Sequence, residues 1–267
     1  MLECALDYER PPRGLPVPPQ IAVGVPMDLP AGREVCAGIS LKGAGDMGRS
    51  AEDPGRFSPG RAAFLRAAGL AGRRVFASRQ VHSQEVLVVG EGSPDEVNRV
   101  EADGLLTDRP DALLTVTVAD CLPIFLADPE RGAIGLLHSG WQGTGIVERA
   151  VRLLASAYGS DPAALRVTIG PGIGGCCYRV DAERAALFRR RFGDCAVRAH
   201  DDGSHLDLRA ANLALLERLG VSHVTVVRDC TACSPPLASY RRDGAAFVRM
   251  LAFIGAASAG RTGRSRR

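Results

Sequence analysis

The chain has 267 residues, 46% hydrophobic and 24% charged, which fits a soluble globular protein of one large or two small domains. A net charge of +3 and 5% aromatic residues supply neither the electrostatic footprint nor the stacking surface of a nucleic-acid binder. No run approaches ~18 apolar residues, so no membrane span is expected. The early Glu3, Asp7, Glu9 and Arg10 do not read as a secretory signal. A cytoplasmic protein is the expectation, and its eight cysteines are then thiols, ligands or catalysts rather than disulfides.

Residues 1–20 are rich in proline and charge and read as an irregular entry, with the first strand expected near the apolar residues 21–25. The Gly/Pro/Asp-rich residues 43–60 read as a loop. Ala63, Phe64, Ala67 and Ala68 recur at helical spacing within residues 59–69. Strands are expected at 75–78 and 86–89, on either side of His82, and Asp103-Gly104 is a turn signal. Two β-rich runs, 112–118 and 122–127, meet at an Asp120-Cys121 corner, and a third, 133–137, delivers His138. Thr144 is the expected N-cap of a helix to about Ala157, whose Ile146, Val147, Ala150, Leu153 and Leu154 share one face.

A strand at 166–169 runs into a glycine-rich turn at 170–175. Asp181 can cap a helix over 182–192, and a helix over 208–219 is closed by Gly220. Strands are expected at 223–227, 238–240 and 247–254. Strands and helices mix without strict βαβ alternation, so the fold class is α+β, in layers rather than a doubly wound sheet. The main domain is placed at residues 21–255. Residues 256–267, small and polar with Arg261, Arg264, Arg266 and Arg267, read as a disordered basic tail.

Three short motifs carry the chemistry: Gln80-Val81-His82, Ala119-Asp120-Cys121-Leu122-Pro123 and His138-Ser139-Gly140-Trp141. Two histidines and one cysteine form the ligand set of a catalytic zinc site with one open position. The separations are long, 39 and 17 residues, so spacing alone says little. Placement says more, because a ligand at a strand end is held by rigid backbone beside an open rim. The same residues also allow a metal-free Cys121 nucleophile with a histidine base. Asp120 is a candidate to orient a ligand histidine, or a turn cap. Trp141, the single tryptophan, is a candidate to stack on a flat base, or core packing.

The 170–175 turn lacks the Lys-Ser/Thr ending of a P-loop and reads as structural. Cys176-Cys177 are vicinal and Cys230-Thr231-Ala232-Cys233 is a CxxC; without a second CxxC, no structural zinc site is expected. Arg241 and Arg242, beside Asp243, offer guanidinium forks suited to phosphate or carboxylate groups.

Taken together, these motifs resemble the laccase-domain proteins, also called YfiH-like or multicopper polyphenol oxidase family proteins. The resemblance also runs through Glu101-Ala102-Asp103-Gly104-Leu105-Leu106-Thr107, Ile169-Gly170-Pro171, Leu206-Asp207-Leu208 with Asn212, and Ser239-Tyr240-Arg241-Arg242-Asp243-Gly244. It implies a single-domain α/β/β/α sandwich and a zinc site of His82, Cys121 and His138, these three also being the catalytic residues. Copper is the lesser alternative, since this ligand set is too small for a multicopper centre.

The resemblance further implies phosphorolysis of adenosine, inosine, guanosine and methylthioadenosine, and deamination of adenosine. Substrate and phosphate contacts are then expected from Gln80, Asp120, Trp141, Arg241 and Arg242. The expected partners are purine nucleosides and phosphate, with no nucleic acid or membrane, in a monomer or weak homo-oligomer. The alternatives are a cysteine-nucleophile hydrolase or amidase acting in peptidoglycan precursor editing, a copper phenol oxidase, and a non-catalytic binding protein. The chain departs from the family pattern at Ser83, Gln142, Gly172 and Phe247-Val248-Arg249.

Overall fold

The computed structural model describes residues 1–256 apart from residues 16, 19–20, 31–33 and 51–55. The chain starts with strands β1 (Leu2–Cys4), β2 (Ala22–Gly24) and β3 (Val35–Ser40) and helix α1 (Pro59–Ala67). Strands β4 (Arg74–Phe76) and β5 (Val86–Val88) and the one-turn helix α2 (Pro94–Val97) follow. Next come β6 (Gly104–Thr107), β7 (Ala112–Val118), β8 (Leu122–Ala127) and β9 (Ile134–Ser139), then α3 (Ile146–Tyr158) and β10 (Arg166–Ile169). The C-terminal part contains β11 (Arg179–Val180), α4 (Ala182–Phe192), β12 (Val197–His200), β13 (Gly203–Leu206) and α5 (Leu208–Arg218). It ends with β14 (His223–Val227), α6 (Tyr240–Asp243) and β15 (Met250–Ala256).

Two main sheets form, in the orders β1-β14-β10-β8-β9-β6-β5 and β2-β3-β15-β7-β4, with a small third sheet β11-β13-β12. Strand alternation decides the layers. Along β15, Met250, Ala252 and Ile254 enter the core between the main sheets, while Leu251 and Phe253 face Phe64 and Leu65 of α1. Along β8, Phe125 and Ala127 enter the inter-sheet core, while Leu122, Ile124 and Leu126 pack with residues of α3, α4 and α5. The result is the expected α/β/β/α sandwich in one domain. Both main sheets are covered on both faces, which is why the six residues of β8 are all buried.

Several details differ from the sequence expectations. The first 20 residues contain β1, which pairs in parallel with β14 and so joins the seven-stranded sheet. The N-cap of α3 is Gly145 at φ +112°, not Thr144, whose hydroxyl instead donates to the Gly140 carbonyl at 2.8 Å. Residues 238–240 form no strand: Ser239 caps α6, accepting the N–H of Arg242. Asp181 does cap α4, accepting the N–H of Arg184 at 2.7 Å. Of the loop expected at 43–60, residues 51–55 lie outside the described residues, as does the basic tail beyond Ala256. Among the described residues, no helix is long and apolar enough to cross a membrane.

Of the connections that pass between the main sheets, two carry the groups of the site. The chain leaves β7 in the five-stranded sheet and enters β8 in the seven-stranded one through Ala119-Asp120-Cys121. It leaves β4 and enters β5 by the same kind of crossing through the segment holding His82. The site therefore lies where both crossings reach one end of the sandwich.

Candidate metal centre

The β8–β9 ladder sets the first two groups side by side. Pro123 pairs with His138 and Leu122 with Ser139, so Cys121, one residue before β8, falls next to His138. His82 arrives from the other crossing. The donor atoms of His82, Cys121 and His138 all lie within 4.8 Å of one another. The two imidazole rings meet edge to face, with centroids 4.9 Å apart. His138 is buried, Cys121 partly exposed and His82 exposed, so the cluster opens outward on one side.

Backbone strain is concentrated here. Among the described residues, His82 at φ +60° and Asp120 at φ +87° are the only non-glycine residues with positive φ. Such a conformation costs on the order of 1–3 kcal/mol and persists where surrounding contacts enforce it. Those contacts are visible. The Asp103 carboxylate accepts the N–H groups of Val81, His82 and Ser83 at 3.1, 3.0 and 2.7 Å, and the Ser83 hydroxyl at 2.8 Å. Asp120 accepts the Thr231 hydroxyl at 2.6 Å and the Arg241 N–H at 2.7 Å.

Asp103 also holds His138. Its Oδ1 lies 2.8 Å from Nδ1 of the ring, and both side chains are buried. The bond commits Nδ1 to the carboxylate and leaves Nε2 as the ring nitrogen available to a metal. Thus Asp103, read from sequence only as part of a turn, orients His138, and Asp120 does not, its carboxylate being engaged by Thr231 and Arg241. The available signal was its position in the Glu101–Thr107 motif.

The charges reinforce one another. Burial raises the Asp103 pKa, but the His138 hydrogen bond and charge and the Ser83 bonds outweigh it and hold the group at about 2. Burial also opposes ionisation of the Cys121 thiol, yet the charge and hydrogen bond of His138, with His82, bring it down to about 6. His138 is lowered by burial but raised more strongly by Cys121 and Asp103, to about 10. Without a metal, the Cys121 thiolate and the Asp103 carboxylate thus hold a proton on His138; a metal cation that displaced it would meet a thiolate and an imidazole in the place where the two negative groups already favour positive charge. Two nitrogens and one thiolate form a three-protein-ligand zinc set with one open position.

Space for that set depends on Gly140. A Cβ at this position would lie 2.7 Å from Cys121 Sγ and 3.4 Å from His82 Cδ2. A cavity of about 590 Å³ opens beside the cluster. Trp141, Tyr178, Arg184, Arg241 and Arg249 line it, with Asp120 and Gln142. The Arg184 guanidinium lies 4.3 Å from the centroid of the Trp141 ring, a cation–π contact. The Arg241 guanidinium donates to the Arg179 carbonyl at 3.0 Å and approaches the Tyr178 ring.

The other expected contacts are placed differently. Gln80 lines the cavity, but its amide is committed to Thr117, donating to the carbonyl at 2.8 Å and accepting the N–H at 2.8 Å. Arg242 is absent from the cavity wall and is a brace. Its guanidinium donates to the carbonyls of Thr231 at 2.7 Å and Leu237 at 2.6 Å and pairs with Asp243. Sequence reasoning did not count among the site residues Arg184, which stands in no recognisable motif, or Arg249, noted only as part of a departure from the family pattern.

The family described as multi-copper polyphenol oxidoreductase laccase matches residues 43–257, and the chain belongs to it. A purine nucleoside phosphorylase of Deinococcus radiodurans is 38% identical over 221 residues, 82% of each chain. The mouse purine nucleoside phosphorylase LACC1 is 32% identical over 70% of this chain, which spans only 45% of that longer relative. The crystal structure of YlmD from Geobacillus stearothermophilus superimposes with a TM-score of 0.74 at 32% identity, covering 84% of this chain and 92% of that one. The Bacillus licheniformis protein YfiH shares the same mixed α/β fold, with a TM-score of 0.73 at 29% identity.

Proposed function

We propose that the chain is a zinc-dependent purine nucleoside phosphorylase that also deaminates adenosine. The observation that carries this reading is the meeting of His82, Cys121 and His138 at the edge of a 590 Å³ cavity with an aromatic wall and three guanidiniums. Relatives named as purine nucleoside phosphorylases support the substrate class.

The residues divide the work by chemistry. Trp141 offers a flat apolar surface for a purine ring. Arg241 presents a guanidinium at the cavity, suited to a phosphate through charge-assisted hydrogen bonds. In phosphorolysis, an oxygen of dihydrogen phosphate bonds to C1′ while the C1′–N9 bond breaks, and the purine leaves with the electron pair and takes up the proton that the phosphate gives up. Zinc bound to the three ligands supplies a Lewis acid and a means of activating water near neutral pH, the chemistry adenosine deamination at C6 requires. Asp103 fixes the His138 tautomer, and Asp120 holds the Arg241 backbone in place. A cytoplasmic setting, with reduced thiols and available phosphate, suits this reading.

The test is release of hypoxanthine from inosine with and without phosphate, together with ammonia release from adenosine, in wild-type protein and Cys121→Ala. The reading expects both activities in the wild type and neither in the folded variant. Retained turnover in Cys121→Ala would remove the metal from the account. Turnover of metal-stripped wild type that thiol alkylation abolishes would instead establish a cysteine hydrolase.

A further inference from the structure

A second group of four cysteines lies outside this centre. The vicinal pair Cys176-Cys177 and the Cys230–Cys233 CxxC come from distant parts of the sequence, yet their sulfur atoms all lie within 4.8 Å of one another. Sequence reasoning found no second CxxC; the fold supplies the missing pair by apposing two loops. Gly172, four residues before Cys176, forms a parallel bridge with Cys230, and its carbonyl accepts the Thr231 N–H at 3.1 Å. All four thiols are free.

We propose that Cys176, Cys177, Cys230 and Cys233 bind a zinc ion of their own, a structural site distinct from the His82–Cys121–His138 centre. The geometry fits tetrahedral thiolate coordination. With Zn–S bonds of about 2.3 Å, the sulfur–sulfur edge of such a tetrahedron is about 3.8 Å. Cys176 and Cys233 are 3.8 Å apart and Cys177 and Cys233 are 3.4 Å apart. Four soft thiolates with no oxygen ligand favour zinc over magnesium or calcium.

The surroundings suit an anionic metal–thiolate cluster. The Gly174 N–H donates to Cys230 Sγ at 3.2 Å, and the N–H groups of Ala232 and Cys233 also stabilise that thiolate. Four thiolates on one divalent ion leave two excess negative charges, and two guanidiniums stand near them. Arg209, largely buried, donates to the carbonyls of Gly172 at 2.8 Å and Asp229 at 2.6 Å and faces the charges of Cys230 and Cys176. Arg242 braces the other side of the CxxC loop through the Thr231 carbonyl. A Cβ on Gly174 would stand 3.1 Å from Cys176 Sγ and 3.3 Å from Arg209 Nη1, so the glycine keeps the point where sulfur and guanidinium converge uncrowded.

The site would act as a staple. Thr231, inside the CxxC, donates its hydroxyl to Asp120, and Ile173, just ahead of the vicinal pair, donates its N–H to the Asp120 carbonyl at 2.8 Å. Closing the two loops on a metal therefore fixes the residue next to Cys121 from both sides.

The test is zinc content of the full chain after dialysis against zinc and then buffer, by plasma mass spectrometry, with cobalt substitution as a second readout. Wild type is expected to hold two zinc ions per chain, Cys121→Ala one, Cys233→Ser one, and the double variant none. Cobalt bound to Cys121→Ala should show intense thiolate charge-transfer absorption. That readout leaves the four-cysteine cluster untouched, so it decides the matter even if Cys233→Ser does not fold. One metal ion in wild type with none in Cys121→Ala would overturn the proposal. So would a Cys177–Cys233 disulfide in purified protein that binds no cobalt in Cys121→Ala. Loss of metal from the catalytic triad alone would leave Cys121→Ala and wild type with equal, single occupancy, which separates this proposal from the functional one.

Discussion

Asp103 Oδ1 lies 2.8 Å from His138 Nδ1, and the same carboxylate collects the backbone N–H groups of the segment that carries His82. One buried group therefore orients His138 and fixes the loop that carries His82. Asp103→Asn removes the charge that holds the imidazole in its tautomer. The expected outcome is a loss of about 10- to 100-fold in zinc affinity, read by competition with a chromophoric chelator. Unchanged affinity would mean that Asp103 only shapes the turn.

Gly140 is the second lever on the centre. Its added Cβ would meet Cys121 Sγ at 2.7 Å, well inside contact distance. Gly140→Ala should retain the far-ultraviolet circular dichroism of the wild type and lose at least about tenfold in metal affinity, as a displaced ligand does. A variant that binds metal normally would show that the cluster tolerates an outward shift of Cys121.

Acid should weaken the metal-free protein through Asp103. Its folded pKa is depressed to about 2, below the ordinary carboxylate value. The stabilisation is therefore fully present above about pH 4 and is lost as pH falls through 4 towards 2, on the order of 2 kcal/mol. Urea melts of metal-free wild type between pH 5 and 2.5 should show this loss, and Asp103→Asn should show a correspondingly shallower slope. Equal slopes would contradict the assignment.

The two adjacent arginines should separate cleanly. Arg241 lines the cavity, whereas Arg242 is tied to the Thr231 and Leu237 carbonyls. Arg241→Ala should raise the phosphate KM about 10- to 100-fold, equivalent to roughly 1.5–3 kcal/mol of charge-assisted bonding, with little change in Tm. Arg242→Ala should lower Tm by several degrees while leaving the phosphate KM near wild type. The reverse pattern would exchange their roles.

Much of this was legible in the sequence because it depends on local chemistry. The β8 and β9 runs are continuous and apolar, so their ends could be located, and Cys121 and His138 with them. Asp181 announced the start of α4 as a side-chain cap, and the laccase-domain motifs fixed the layered fold. Local pattern fails where a role is set by distant partners. Asp103 reads as a turn residue until the fold folds it back beneath His82 and His138. Arg242 and Gln80 look like free polar groups until Thr231, Leu237 and Thr117 engage them. Ser239-Tyr240 has strand-like residues, but the Ser239 cap turns the segment into a helix. The four-cysteine cluster is likewise a product of tertiary contact, since no spacing within the chain links residue 177 to residue 230.

The most direct test of the account is phosphate-dependent hypoxanthine release from inosine by protein whose metal has been removed and then restored. The account predicts no release after chelation, recovery on adding zinc in proportion to occupancy of the His82–Cys121–His138 centre, and no recovery in Cys121→Ala. Full release by the metal-free protein, or none by zinc-loaded wild type at saturating phosphate, would contradict it.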